Sequence, residues 1–427
     1  MKVTQREIRS IEAHGVLGEF SYVVEYPTRV DPDRMRLIYA PNGRGKTNFL
    51  RAVSAALTPT PDSLQSLIEI PFARLTIAFA NGGLISIDRD EDVVGQFTAS
   101  ASVGTNEEAF SISVDPTELS GRMYRRIWDT RADFSSYSDA VAQLSPGAIF
   151  IGDDRLAPLP SDEVRDSVRN ENNSYAASRR RQGSVSRLLE TVERMLTQEA
   201  LAGLSSESEQ TGIYAQITRT TLEGSNPILA SEARAALEEQ IESLLERGTP
   251  LERYGLLSMR QVHDISDQIT GARANDKNLR AVHTVLRPYL DSLQDQITAL
   301  SPAQKLIDTY VTSVNHFLDR KELRFTASRG IRLVGRDGNN LHPESLSSGE
   351  RHLLLLLSQA VLATGERPLV IVDEPELSLG IEWQRDLLPE MLRCSAPGQV
   401  QFLVASHSLQ VMNAVSLEDI VRPSEPQ

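Results

Sequence analysis

One segment constrains this chain more than any other. The apolar run Met35-Arg36-Leu37-Ile38-Tyr39 leads directly into Ala40-Pro41-Asn42-Gly43-Arg44-Gly45-Lys46-Thr47, and helical spacing begins at once in Asn48 to Ala56. A strand, a glycine-rich turn and a helix in that order aim backbone N–H groups at one spot, where the helix N-terminus adds positive potential. Such a turn suits a phosphate. Lys46 is placed to bridge the β- and γ-phosphates of a nucleotide and the Thr47 hydroxyl to ligate Mg²⁺. Asn42, Gly43, Arg44, Gly45 and Asn48 complete the candidate loop. Ala40 stands where the general pattern has glycine, but the inner Gly43 and Gly45 are kept. The competing reading is a strand-to-helix turn that holds nothing.

Three further segments converge on the same chemistry. Leu369 to Val372 form an apolar run directly before Asp373 and Glu374, the pattern of a buried parallel strand whose carboxylates face the crevice at its C-terminal end. Asp373 is placed to hold Mg²⁺ through its water shell, and Glu374 to orient and deprotonate an attacking water. Ser345-Leu346-Ser347-Ser348-Gly349-Glu350-Arg351 precedes the apolar stretch HLLLLLSQAVLAT, a core helix; Ser347 or Ser348 is its N-cap and Glu350 lies in its first turn. The run QFLVASHSLQ is a buried strand ending at His407, where a γ-phosphate sensor belongs. Taken singly, these are a charged strand end, an ordinary helix cap and a structural histidine.

The rest of the chain frames these segments. Short strands are expected over residues 5 to 39, with a helix over Asn48 to Ala56 stopped by Pro59 and Pro61. A hairpin is expected around Asn81, Gly82 and Gly83, and a short strand from Ala148 to Ile151 before Gly152-Asp153-Asp154-Arg155. From about residue 160 to 320 the character is polar and helical, suiting two or three helices packed as a hairpin or small bundle. A second hairpin follows in LRFTAS and GIRLVGRDG, and strand and helix alternate from Ser345 onward. Arg179, Arg180 and Arg181 form the tightest basic cluster, read as a solvated loop rather than a phosphate contact.

Composition narrows the function classes. A net charge of −14 argues against a protein that coats nucleic acid over most of its surface, although a local basic groove is compatible with it. No apolar run approaches the roughly 20 residues needed to cross a bilayer, and the start MKVTQREIRSIEAHG lacks the core of a secretory signal, so a cytoplasmic protein is expected. The lone Cys394 fits that compartment, and seven scattered histidines give no metal-ligand spacing.

In this order, APNGRGKT, LSSGE, VIVDEPE and ASHS resemble the phosphate loop, signature, Walker B strand and switch histidine of the ATP-binding cassette ATPases. The resemblance covers about residues 1 to 155 and 320 to 415, a split layout similar to the RecF, SMC and OLD lineage. The run DEPELSLGIEWQRDLLPEM looks like that of bacterial ATPases of the OLD, Septu and PARIS type, linked to phage defence. The implied fold is α/β: a P-loop head with a mixed sheet core and an antiparallel β subdomain, over residues 1-155 and 321-427, interrupted by an α-helical insertion over 156-320.

The resemblance implies ATP and Mg²⁺ as cofactors. Lys46 and Thr47 would hold phosphate and metal, Asp373 would assist the metal, Glu374 would be the catalytic base, and His407 would contact the γ-phosphate. It further implies that Ser347, Ser348 and Gly349, with Glu350 beside them, contact the nucleotide of an opposite subunit, so that two chains sandwich two ATP molecules, as a homodimer or a higher oligomer. Gly380 departs from the pattern, which usually has histidine there, and Asp153, Asp154 and Arg155 resemble the charged loop of the OLD-like branch. The short stretch from His407 to Gln427 leaves no space for the Toprim nuclease that follows in OLD proteins, so nuclease activity in this chain is not expected. The expected function is therefore a sensor or regulatory ATPase of anti-phage defence, controlling a separate nuclease or toxin. A RecF- or SMC-like repair ATPase with DNA as partner is the alternative, and a transporter subunit is disfavoured by the insertion.

Overall fold

The computed structural model describes residues 6–27, 34–90, 92–104, 109–117, 128, 131–152, 174–205, 230–271, 279–366, 369–396 and 400–425. The chain divides into two compact units, one of Met1–Leu188 with Glu344–Gln427 and one of Leu189–Pro343.

The first unit begins with strands β1 (Ile8–Val16), β2 (Phe20–Glu25) and β3 (Met35–Tyr39), followed by helices α1 (Lys46–Leu57) and α2 (Pro61–Glu69). Strands β4 (Arg74–Phe79), β5 (Leu84–Asp88), β6 (Phe97–Ser102) and β7 (Ala109–Val114) come next, then helix α3 (Ala132–Leu144) and strand β8 (Ala148–Ile151). Six of these strands form an antiparallel sheet in the order β2-β1-β4-β5-β6-β7. Its strands alternate buried and exposed positions, as half-buried sheets do. The glycine turn at Asn81 to Gly83 joins β4 to β5, as the sequence indicates.

Pro59 and Pro61 do end α1, but the same residues open α2, which sequence reading missed. Thr60 accepts from the Ser63 N–H and Ser63 Oγ accepts from the Thr60 N–H, a reciprocal cap with Pro61 at the first helical position.

Helix α4 (Ser174–Ser205) crosses the division between the two units. It corrects the reading of Arg179 to Arg181 as a loop, because their backbone is helical. The second unit holds α5 (Ala230–Arg253), α6 (Arg260–Gly271), α7 (Leu279–Phe317) and a three-stranded antiparallel sheet of β9 (Lys321–Thr326), β10 (Gly330–Gly335) and β11 (Asn340–Leu341). Buried Leu237, Ile241 and Leu244 of α5 and Ile297, Leu300 and Tyr310 of α7 supply apolar faces at helical spacing. Gln240 Nε2 donates to Asp291 Oδ1 at 2.8 Å between the two helices. Helix α7 runs through Pro288 and Pro302, further than local spacing indicates, with buried Leu290, Leu293 and Ala303 keeping its apolar face continuous.

The first unit resumes with helix α8 (Ser348–Glu366), strand β12 (Leu369–Asp373), helix α9 (Ile381–Ser395), strand β13 (Gln401–Ser406), the short helix α10 (Leu409–Met412) and strand β14 (Ile420–Val421). Strands β14-β3-β13-β12-β8 form a sheet in which every pairing is parallel. The chain is thus α/β, with the expected antiparallel subdomain and helical interruption, and its parallel and antiparallel strands lie in different sheets. All five residues of β12 are buried, and Leu353 to Leu357 of α8 are buried with them. Register decides what this sheet presents: Asp373 pairs with Ala405, and Ser406 with Tyr39. Three strand ends carrying the loops after residues 39, 373 and 406 therefore stand side by side at one edge.

Candidate active site

The loop after β3 is shaped by two glycines. Gly43 and Gly45 have φ of 85° and 78°, in the left-handed region that other residues seldom adopt. Gly45 is required a second time, because a Cβ there would lie 2.7 Å from Val16 Cγ1. Gly45 is also the N-cap of α1 and has no side-chain cap to offer. The first N–H groups of the helix are thereby left for an anion.

Lys46 is 6% exposed, and its Nζ donates to Ala40 O at 2.7 Å and Pro41 O at 3.3 Å. Its ammonium is held over the loop by the loop's own carbonyls. Tyr22 supports the loop from β2: its hydroxyl donates to Arg44 O at 2.5 Å, and its ring stacks on Phe49 with centroids 4.6 Å apart. Burial pushes the Tyr22 phenol up to about 12 against the opposing Arg44 charge, so it stays a donor at neutral pH. The Arg44 guanidinium lies over the Phe20 ring at 4.9 Å and pairs with Glu425.

Thr47 Oγ1 donates to Asp373 Oδ2 at 2.6 Å, joining residues 326 positions apart. Asp373 is 4% exposed at the end of β12. A hydroxyl and a carboxylate in contact at a helix N-terminus are hard oxygen donors, the kind Mg²⁺ takes. The donor set fits the metal that the sequence implies.

Immediately after Asp373 the backbone turns sharply. Glu374 has φ of 51°, unusual for a residue with a side chain, and its N–H donates to Ala405 O at 2.8 Å, which pins the turn to β13. Glu374 Oε1 lies 3.3 Å from His407 Nδ1. The two side chains, 33 residues apart by numbering, meet because their strands are register neighbours.

Sequence reading missed Glu376. Its carboxylate is 6% exposed, and Oε1 accepts from Ser406 Oγ at 2.7 Å, His407 N at 3.0 Å and Ser408 N at 3.2 Å, with His407 Nδ1 at 3.2 Å. Gln384 was missed as well: its amide donates to Leu379 O at 3.0 Å and accepts from Ser408 Oγ at 2.7 Å. The available signal was the third acid of DEPE, two residues beyond Glu374, where a chain leaving a buried strand has little reason to bury a carboxylate.

At the start of α8 the geometry selects Ser347 over Ser348 as cap. Ser347 Oγ accepts from Glu350 N at 3.2 Å, and Glu350 Oε2 accepts from Ser347 N at 2.6 Å. Ser347 and Ser348 are exposed, whereas Gly349 and Glu350 are buried. A Cβ on Gly349 would lie 2.6 Å from Ser378 O, so glycine permits this helix to approach the segment after β12. Gly380 is the N-cap of α9, and a Cβ on it would meet nothing within 4 Å. Asp153, Asp154 and Arg155 lie outside the described residues.

Lys46, Thr47, Asp373, Glu374 and His407 thus belong to one edge of one parallel sheet, and Ser347 to Glu350 to the same compact unit. Among the described residues no helix is long and apolar enough to cross a membrane.

Comparison with solved structures finds similarity to Smc head domains. One, from Pyrococcus furiosus, with an extended coiled coil and bound to the C-terminal domain of ScpA, is 12% identical, covers 98% of this chain and 96% of that chain, and has a TM-score of 0.41. The SMC head domain from Thermotoga maritima is 12% identical, with 99% of each chain covered and a TM-score of 0.34. No curated protein matches the chain. Residues 240–413 match the family described as "AAA domain, putative AbiEii toxin, Type IV TA system". That span carries Ser347 to Glu350, Asp373, Glu374 and His407 and omits the glycine loop, and over it the chain is similar to an AAA-family ATPase domain of the AbiEii type.

Proposed function

We propose that this chain is an ABC-type ATPase that binds Mg-ATP at the edge formed by Lys46, Thr47, Asp373, Glu374 and His407 and closes on it as a pair of subunits. The observation that carries the reading is the 2.6 Å contact between Thr47 Oγ1 and Asp373 Oδ2, which unites the glycine loop with the carboxylate strand.

Each side chain then has one task. The N–H groups of Gly43 to Thr47 and the Lys46 ammonium, released from Ala40 O and Pro41 O, take the phosphates. Thr47 and Asp373 would hold Mg²⁺, which when bound neutralises charge on the phosphate oxygens. Glu374 accepts the proton of the attacking water, and His407 donates a hydrogen bond to the γ-phosphate. Asn42, Arg44 and Asn48 flank the loop, and the exposed Ser347 and Ser348, with Gly349 and Glu350, face the nucleotide of the second subunit. By the resemblance the head comprises residues 1-155 and 321-427 and the insertion residues 156-320, whereas the compact units divide after Leu188 and Pro343 and group β9 to β11 with the helices.

At the biological level we read the chain as the cytoplasmic regulatory ATPase of an anti-phage system that controls a separate effector. The DEPELSLGIEWQ wording supports this, as does the matching family's description, which names the AbiEii toxin and a Type IV TA system.

The shared-site mechanism is tested by the mass of Glu374→Gln with and without Mg-ATP, against the double variant that also carries Ser348→Arg. Nucleotide-dependent pairing and ATP retention are expected in the first and lost in the second. Undiminished retention in the double variant would mean that each site is completed within one chain.

A further inference from the structure

Glu376 is a buried carboxylate that the proposed chemistry does not use. Its Oε1 gathers the Ser406 hydroxyl, the His407 and Ser408 backbone N–H groups and the His407 ring at 2.7 to 3.2 Å. Its Oε2 is buried with no hydrogen-bond partner among the described residues. Burying a carboxylate is costly unless its charge has partners. Among the described residues, the one ionisable group paired with Glu376 is His407.

The contact concerns Nδ1 of the ring, which lies 3.2 Å from Glu376 Oε1 and 3.3 Å from Glu374 Oε1. A carboxylate accepts and does not donate, so both contacts favour a proton on Nδ1. With Nδ1 facing the two carboxylates, Nε2 is the nitrogen on the opposite side of the ring.

We propose that Glu376 is a positioning residue for His407, fixing its ring orientation and its Nδ1 proton so that Nε2 is presented to the terminal phosphate. This rests on the ATPase reading for its consequence, but not for the orientation itself. A carboxylate that only caps the turn at residues 406 to 408 would need its oxygen and not its charge. Glu376→Gln separates the two, because an amide oxygen still accepts from Ser406 and the backbone while the charge facing the ring is gone.

The experiment is a double-mutant cycle on kcat with Mg-ATP, read beside the imidazole ¹⁵N spectrum of His407 in the full chain. In an otherwise unaltered protein, Glu376→Gln is expected to lower kcat by roughly 10- to 100-fold, the scale of the loss when a metal-ligating histidine is deprived of its orienting partner, with KM near the wild-type value. In a His407→Ala background, followed in single turnover, the same change is expected to have no further effect. In the nucleotide-free wild type at alkaline pH the ring is expected to carry its proton on Nδ1. Equal losses in both backgrounds, or a wild-type ring protonated on Nε2, overturn the proposal. A wild type that hydrolyses no ATP defeats the ATPase reading instead, and the wild-type spectrum then decides the role of Glu376 by itself.

Discussion

Lys46 and Tyr22 illustrate how unevenly sequence reports on individual residues. Lys46 is legible because its chemistry depends on a local pattern, a lysine directly after Gly45 at the start of a helix. Lys46→Ala is expected to abolish ATP binding, as the loop then places no side-chain cation on the phosphates; equilibrium binding of a fluorescent ATP analogue checks this, and wild-type affinity would refute it. Tyr22 is illegible, since nothing local says that a residue of β2 will reach Arg44 O. Tyr22→Phe keeps the ring stacked on Phe49 and removes only the hydrogen bond. Urea denaturation is expected to show a loss of about 1 kcal/mol, with weaker nucleotide binding because the loop loses its support. Glu376 and Gln384 were hidden for the same reason: their partners Ser406 and Ser408 lie at the end of β13 and just after it and are set by strand register.

At the scale of elements, those with a strong local signature were readable. Strand β12 announces itself as an apolar run ending in acids, and the hairpin between β4 and β5 by Asn81-Gly82-Gly83. Helix α2 was obscured because proline reads as a stop, although Pro61 preceded by Thr60 is equally a start. The length of α7 was obscured because Pro288 and Pro302 weaken a local reading that tertiary packing overrides. Two glycines at the N-terminal ends of α8 and α9 make opposite predictions. Gly349→Ala would drive a methyl into Ser378 O, so a loss of roughly 1–3 kcal/mol is expected, as for other overpacked sites. Gly380→His enters open space, so its effect should stay within about 0.5 kcal/mol. Thermal unfolding of the two variants side by side checks both, and equal destabilisation would contradict the packing described for α8.

For the whole molecule, the order of four motifs predicted an α/β fold, and register supplied what order could not: the glycine loop, the carboxylate strand and the histidine loop end on one edge of one sheet. The central claim is that this edge hydrolyses ATP with Glu374 as base. The most direct test is ATP turnover and ATP retention by Glu374→Gln beside the wild type, since the amide keeps the shape of the side chain and cannot take a proton from water. Turnover is expected to fall by about 10²- to 10⁴-fold while Mg-ATP stays bound; turnover at the wild-type rate, or loss of binding together with turnover, would contradict the account.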